Sequence, residues 1–146
     1  MQPQHLVVPP FQRPYVWEKE EQWAPLWQDV RRLAELRLRA GSANVQHFLG
    51  AIVVQAQDSI LGGLPASSII DGQQRLTTLQ LLMDATAVAL EAIGQDSLAA
   101  QLDRLTHNED IYVSGQETRL KLRHGNRDRR RLTRSWRPRR LLTTRH

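Results

Sequence analysis

A short polar segment between two apolar stretches carries the side chains best suited to chemistry. It reads Asp71-Gly72-Gln73-Gln74-Arg75. The apolar residues that follow the segment recur at helical spacing, whereas those before it are interrupted by glycine and proline. We therefore expect a strand to end and a helix to begin at this segment. Backbone N–H groups at a helix start carry positive partial charge and lack intrahelical acceptors. The segment therefore predicts an anion-binding turn, for which phosphate is a natural ligand.

Each residue of this turn offers a distinct function. Asp71 can hold a divalent cation, position a water molecule or fix the turn, and Gly72 permits positive φ and a close approach of the backbone to a ligand. Gln73 and Gln74 supply amide donors and acceptors. Arg75 presents a fork of charged N–H groups that matches phosphate oxygens.

Two threonines follow the turn, and a simpler interpretation of the turn stays open. Thr77 and Thr78 could add hydroxyl groups within one helical turn. In the simpler interpretation, Asp71 is an ordinary helix N-cap and Arg75 is solvated. The residue types alone leave both interpretations open.

A second cluster, residues 11–17, combines an amide and an arginine with aromatic residues on a proline-containing, irregular segment. Arg13, which follows Gln12, could be a second phosphate clamp, and Tyr15 or Trp17 could stack on a base. The alternative is that the aromatic residues anchor the segment on the core while Arg13 faces water.

The elements that position these clusters alternate between strands and helices. The predicted elements are an extended segment at 7–17, an amphipathic helix at 18–38 with Trp23 and Trp27 in a core, a buried strand at 48–55, a loop at 56–68, a strand ending at residue 70, helices at 73–93 and 97–105, and short strands at 111–113 and 119–122. After Asp128 no helical or alternating pattern survives.

Composition and charge narrow the class of protein. The chain has 146 residues, 40% of them hydrophobic, with no long apolar run, no signal-peptide pattern and no cysteine, which predicts a cytoplasmic protein without a membrane span or disulfides. The net charge of +5 is unevenly distributed. Residues 1–118 hold eight Lys/Arg and fourteen Asp/Glu, whereas residues 119–146 hold twelve Lys/Arg and one acid. The body is acidic and the tail is basic.

Three segments in this order, PPFQRPYVW, HFLGAIVVQ and IIDGQQRLTTLQLL, resemble the N-terminal domain of GmrSD-type modification-dependent restriction endonucleases, the DGQQR domain of the ParB/sulfiredoxin-like superfamily. The resemblance runs from about Val7 to Asp128. It implies an α+β fold, a small mixed sheet with packed helices, here incomplete at both ends. The expected domains are a partial nucleotide-binding domain at 1–128 and a basic irregular tail at 129–146, which we expect to be out of frame.

The resemblance also implies a function. In that family the DGQQR turn binds, and often hydrolyses, nucleoside triphosphates (NTPs), and it controls DNA cleavage by a nuclease domain or partner chain in phage defence. We expect Asp71 to be the catalytic residue, which organises Mg²⁺ as a ligand or organises the attacking water. The nucleotide-binding residues would be Gln12, Arg13, Gly72, Gln73, Gln74 and Arg75, together with Thr78 for its hydroxyl group.

Two other functions fit parts of the sequence. The basic tail could make the chain a non-catalytic DNA-binding module, in which the polar turn is only structural. The tryptophan-rich helix could instead dock on a partner protein, which leaves the polar turn unexplained. No nuclease motif is recognised in this chain.

Overall fold

A computed structural model of the chain describes residues 3–40, 48–58, 63–113 and 119–124. These ranges contain strands β1 (His5–Val7), β2 (Val53–Ala56), β3 (Ala66–Asp71) and β4 (Leu122–Arg123) and helices α1 (Ala24–Ala40), α2 (Gln73–Ala92) and α3 (Asp96–Thr106). The predicted α+β class is confirmed. The described residues form two compact units, one from the residues up to Pro14 together with those from Ile52 onward, the other from Tyr15–Ala51.

The four strands, all in the first unit, form a mixed sheet in the order β2-β3-β1-β4. Strand β1 is parallel to both β3 and β4, whereas β2 is antiparallel to β3. The sequence did not predict β1, although it lies inside the sheet. Three residues are too few to show an alternating pattern, and Pro9 and Pro10 remove the donors that would extend the strand.

The core of this unit is small and lies next to the β3–α2 junction. Val8, Ile69 and Leu122 are buried, and Leu6 and Leu76 pack against them. Ile69 on β3 and Leu76 in the first turn of α2 thus lie on either side of the polar turn. Burying each large aliphatic side chain contributes about 1.5–3 kcal/mol, so the junction is one of the better-anchored parts of the unit.

Strand β2 corrects the predicted buried strand at 48–55. The strand comprises Val53–Ala56, its four residues are all exposed, and it lies at the edge of the sheet, with an irregular register between Val53 and Val54. A β-branched run indicates a strand by propensity, but it does not reveal whether that strand lies in the middle of the sheet or at its edge. The exposure of β2 therefore follows from its position at the edge of the sheet and not from its residue types.

Helices α2 and α3 agree with the predicted helices to within about a residue, and Gly94, with φ of 74°, follows the end of α2. The predicted strand at 111–113 is wrong, because residues 110–112 form a 3₁₀ turn closed by the bond from the Tyr112 N–H to the Glu109 carbonyl. The second short strand, predicted at 119–122, begins three residues and ends one residue before β4, which is Leu122–Arg123.

The second unit contains the tryptophan-rich helix. A π-helical turn at Lys19–Trp23 leads into α1, close to the helix predicted at 18–38. Tyr15 stacks on Trp17 with a centroid separation of 6.5 Å, and Trp17 meets the edge of Trp23 at 6.2 Å. Trp27 is 58% exposed, so its predicted place in a core is wrong.

In the described ranges, no helix combines the length and the apolar content needed to cross a membrane. Residues 125–146 lie outside those ranges, and with them lies the predicted boundary near residue 128.

Candidate functional site

The polar turn lies at the junction predicted for it, between the end of β3 and the start of α2. Gly72 is the residue before the helix, with φ of 95°, and it contributes no side-chain cap. A Cβ atom there would lie 3.0 Å from Cγ1 of Ile52, 3.3 Å from its Cα and 3.4 Å from Nη2 of Arg75. Both the backbone conformation and the available space therefore require glycine at this position.

Asp71 and Arg75 form an ion pair across this glycine. Oδ2 of Asp71 lies 2.8 Å from Nη2 of Arg75, one helical turn further along the chain. The Asp71 side chain is 68% exposed and that of Arg75 is 29% exposed. The simpler interpretation of the turn therefore fails on two points: Gly72, rather than Asp71, is the N-cap, and Arg75 is paired and mostly covered rather than solvated.

Glutamine side chains join the two polar clusters that the sequence analysis identified. Each donates from Nε2 to a backbone carbonyl of the other segment, over separations of 58 to 60 residues: Gln12 to Ile70 at 3.1 Å, Gln73 to Arg13 at 2.8 Å and Gln74 to Pro14 at 2.9 Å. The prediction placed the amides of Gln73 and Gln74 on a ligand. In the structure their nitrogens hold the loop at residues 12–14 against the start of α2.

The loop thereby brings a second cation to the same region. The backbone carbonyl of Arg13 accepts the bond from Gln73, while the Arg13 side chain is exposed. The loop itself is turned by the bond from the Gln12 N–H to the Pro9 carbonyl at 3.1 Å. Tyr15 and Trp17, which were considered either as stacking residues or as anchors of the segment, belong to the second unit.

Gln73 has one further feature. The residue is 9% exposed, and among the described residues its Oε1 atom has no hydrogen-bond donor. A buried amide oxygen without a donor costs about 1–3 kcal/mol. An unsatisfied buried acceptor of this kind calls for a partner from outside the chain, such as a water molecule or a ligand.

Thr78 does not join these residues at the surface. Its side chain is fully buried, as is most of Thr77, and the two hydroxyls donate to the carbonyls of Gln74 and Gln73 at 2.8 Å. Threonine within a helix commonly bonds to the carbonyl four residues earlier. That tendency was the available signal that these hydroxyls are bonded within the helix; it does not predict their burial, since Thr86 makes the same bond to Leu82 while exposed.

The family model for the N-terminal domain of the GmrSD restriction endonuclease matches residues 1–144. The chain belongs to this family. The match covers nearly the whole chain and extends past Asp128, where the recognised resemblance stopped. No curated protein matches the chain in a sequence search.

A second group of charges in this GmrSD N-terminal domain was not predicted. It joins α2, α3 and the segment before β4: the His107 ring nitrogen Nδ1 lies 3.0 Å from Oδ1 of Asp103, and Nη2 of Arg119 lies 3.7 Å from Oδ2 of the same carboxylate. Burial raises the pKa of Asp84, an effect opposed by its hydrogen bond from Thr106 and by nearby His107.

Asp103 and His107 have a helical spacing of four, whereas Asp84 and Arg119 are distant from them in sequence and approach them only in the folded chain. Within the described ranges, no three His, Asp or Glu side chains converge as a metal site. The group instead links the end of α3 to the strand segment that follows it.

Proposed function

We propose that this GmrSD N-terminal domain is the NTP-binding regulatory module of a modification-dependent restriction endonuclease in phage defence, and that the triphosphate binds at the start of α2. Membership of a restriction endonuclease family supports the link to DNA cleavage. The observation that carries the proposal is the helix start itself. It begins at a positive-φ glycine without a side-chain cap, next to a partly covered arginine.

The start of α2 has the general features of an anion site. The first-turn N–H groups of a helix take their acceptors from outside the helix, and the helix dipole favours negative charge there. The guanidinium of Arg75 lies beside Gly72, whereas Ile52 occupies the space at the Cβ position of Gly72. A phosphate group at the α2 start, clear of Ile52, would thus meet backbone N–H groups and a guanidinium together.

Arg13 would supply charge from a second side. The loop that carries it is held to the α2 start by the bonds from Gln73 and Gln74. Two guanidinium groups on separate segments can neutralise a polyphosphate from two directions, as sites for phosphoryl transfer require. The glutamines act in this proposal mainly by fixing the loop.

Mg²⁺ fits this site only together with the phosphates. It is usually held in NTP sites by one or two carboxylates and the substrate's own oxygens, and Asp71 is a single exposed carboxylate at the end of β3. Bound there, Mg²⁺ would neutralise charge on the phosphates. Hydrolysis of the NTP would then reset DNA cleavage by a nuclease domain or partner chain.

The test replaces Arg75 with alanine and measures NTP binding by isothermal titration calorimetry. We expect the loss of measurable binding with retained far-UV circular dichroism. Arg104→Ala is the matched control, since Arg104 is also a helical arginine but is exposed on α3. A variant lacking Arg75 that binds and hydrolyses NTP normally would refute the assignment.

DNA binding by the tail is the second candidate, favoured by the eight arginines and the lack of any acid at 129–146. Such binding would have a steep salt dependence and little sequence preference. A chain ending at Asp128 separates the two functions. The NTP proposal predicts that this chain still binds nucleotide, whereas the tail proposal predicts only a loss of DNA affinity.

A further inference from the structure

We infer that the turn at residues 72–74 is a hinge clamp, a set of contacts that holds both connections between the two units of the chain. The second unit, Tyr15–Ala51, is inserted into the first, so the chain passes between the units twice. The first connection follows Pro14 and the second precedes Ile52. Residues of this one turn hold both Pro14 and Ile52, and these contacts require no ligand.

Side-chain amides hold the first connection. Nε2 of Gln74 donates to the carbonyl of Pro14, the last residue before the connection, at 2.9 Å, and Nε2 of Gln73 donates to the Arg13 carbonyl at 2.8 Å. The proline ring fixes φ of its own residue, so the chain is stiff where it leaves the first unit. Two bonds to adjacent carbonyls fix the direction of this segment as well as its position.

Packing holds the second connection. Ile52 lies against Gly72: its Cγ1 and Cα are 3.0 and 3.3 Å from the position that a Cβ on Gly72 would take. The sheet begins at the next residue, where Val53 lies opposite Asp71 on β3. Gly50, two residues before Ile52, has φ of 94°, a conformation that glycine adopts without strain. The backbone is therefore held from Ile52 onward and turns at a glycine just before it.

The two contacts together define where the second unit can pivot. Hinges are a few loop or element-terminal residues that absorb changes of φ and ψ, and a unit joined by two segments pivots where those segments become fixed. The residues that hold the two connections, Gly72 and Gln74, are two positions apart in the chain. Movement of the second unit relative to the first therefore pivots at the start of α2.

The clamp also gives this turn a regulatory role, and this consequence rests on the proposed function. A triphosphate bound at the α2 start would bind the residues that hold the connections. A ligand that binds more tightly to one of two states, clamped or released, must change the population of both. NTP binding would then alter how freely the second unit moves.

Glutamine-to-leucine substitutions test the clamp. Gln74→Leu removes the bond to the Pro14 carbonyl, and a double variant that adds Gln73→Leu removes both bonds. The loss of one such hydrogen bond should raise the population of the released connection about 2- to 12-fold. Gln101→Leu, the same chemical change at an exposed position on α3, is the matched control. Far-UV circular dichroism checks that each variant is folded.

Distances between two spin labels, measured by double electron–electron resonance, report the movement. The chain has no cysteine, so Gln28→Cys on α1 and Ser97→Cys on α3 place one label at an exposed position in each unit. We expect a broader distance distribution in Gln74→Leu than in the labelled parent chain, a still broader one in the double variant and no change in Gln101→Leu. Equal widths in all four chains would refute the clamp.

The regulatory role is tested by adding ATP and Mg²⁺ to the labelled parent chain, with calorimetry to measure binding. The expected result is that ATP binds and the distance distribution changes. If ATP binds and the distribution stays the same, the regulatory role is refuted. If ATP does not bind, the proposed function is refuted, whereas the widths in the glutamine variants still decide whether the clamp exists.

Discussion

Replacing Gly72 with alanine should destabilise the first unit far more than the same change at Gly94. Both glycines have positive φ, 95° and 74°. A left-handed conformation costs a residue with a Cβ about 1–2 kcal/mol. At Gly94 a Cβ would meet no atom of the described residues within 4 Å, so this conformational cost is the whole expected effect.

At Gly72 a steric cost is added. The new Cβ would lie 3.0 Å from Cγ1 of Ile52 and 3.3 Å from its Cα, and the second of these is a backbone atom that cannot rotate away. Overpacking of this kind typically costs about 1–3 kcal/mol. The expected loss is therefore about 2–5 kcal/mol for Gly72→Ala, a large share of the roughly 5–15 kcal/mol that stabilises a typical domain.

Urea unfolding followed by far-UV circular dichroism measures this difference. Tryptophan fluorescence is the wrong signal, because three of the four tryptophans lie in the second unit and Trp136 lies outside the described residues. The Gly72→Ala and Gly94→Ala variants share the same chemical change and the same sign of φ, so the difference between them reports the contact with Ile52. Equal destabilisation by the two substitutions would refute the packing argument at the β3–α2 junction.

Three further predictions concern the same unit. Gln73→Leu removes the bond to the Arg13 carbonyl and should weaken NTP binding several-fold while Arg75 stays in place; calorimetry with unchanged affinity would show that the loop contributes nothing. Thr78→Val should leave NTP affinity unchanged in the same assay, because the hydroxyl is buried and bonded to the Gln74 carbonyl; a clear loss would place it on the ligand. Burial raises the pKa of Asp84 above its usual value of 3.8, so the stability that this group contributes is present below that value and is lost as the pH rises through the raised pKa. Asp84→Asn should therefore gain stability relative to the wild type as the pH rises above 4 in urea unfolding, and a constant difference would contradict the burial argument.

The sequence predicted α2 and α3 well because their signals are local. Helical spacing of apolar residues and a glycine just after the last turn determine both ends of α2. The strands were predicted less well. β1 is three residues long and is a strand only because β3 and β4 lie on either side of it, and the exposure of β2 depends on its place at the sheet edge. Neither fact is encoded locally.

The candidate site shows the same difference between features that the local sequence predicts and features that depend on tertiary structure. Residue types drew attention to the two clusters, which are in contact in the structure, and the family resemblance predicted that the loop closes on the turn. The individual contacts depend on tertiary geometry. Gln73 and Gln74 were expected to bind a ligand, yet their amide nitrogens bond the carbonyls of Arg13 and Pro14. The ion pair between Asp71 and Arg75 is compatible with their helical spacing of four, but the same spacing occurs in many unpaired residues.

The most direct test of the proposed NTP site is amide chemical-shift mapping by NMR, with ATP and Mg²⁺ titrated into the ¹⁵N-labelled chain. The site at the α2 start predicts that the largest shifts occur at residues 72–76 and at Arg13, and that they saturate. Shifts confined to the basic residues after 128, or no saturable shift at residues 72–76, would contradict NTP binding at this helix start.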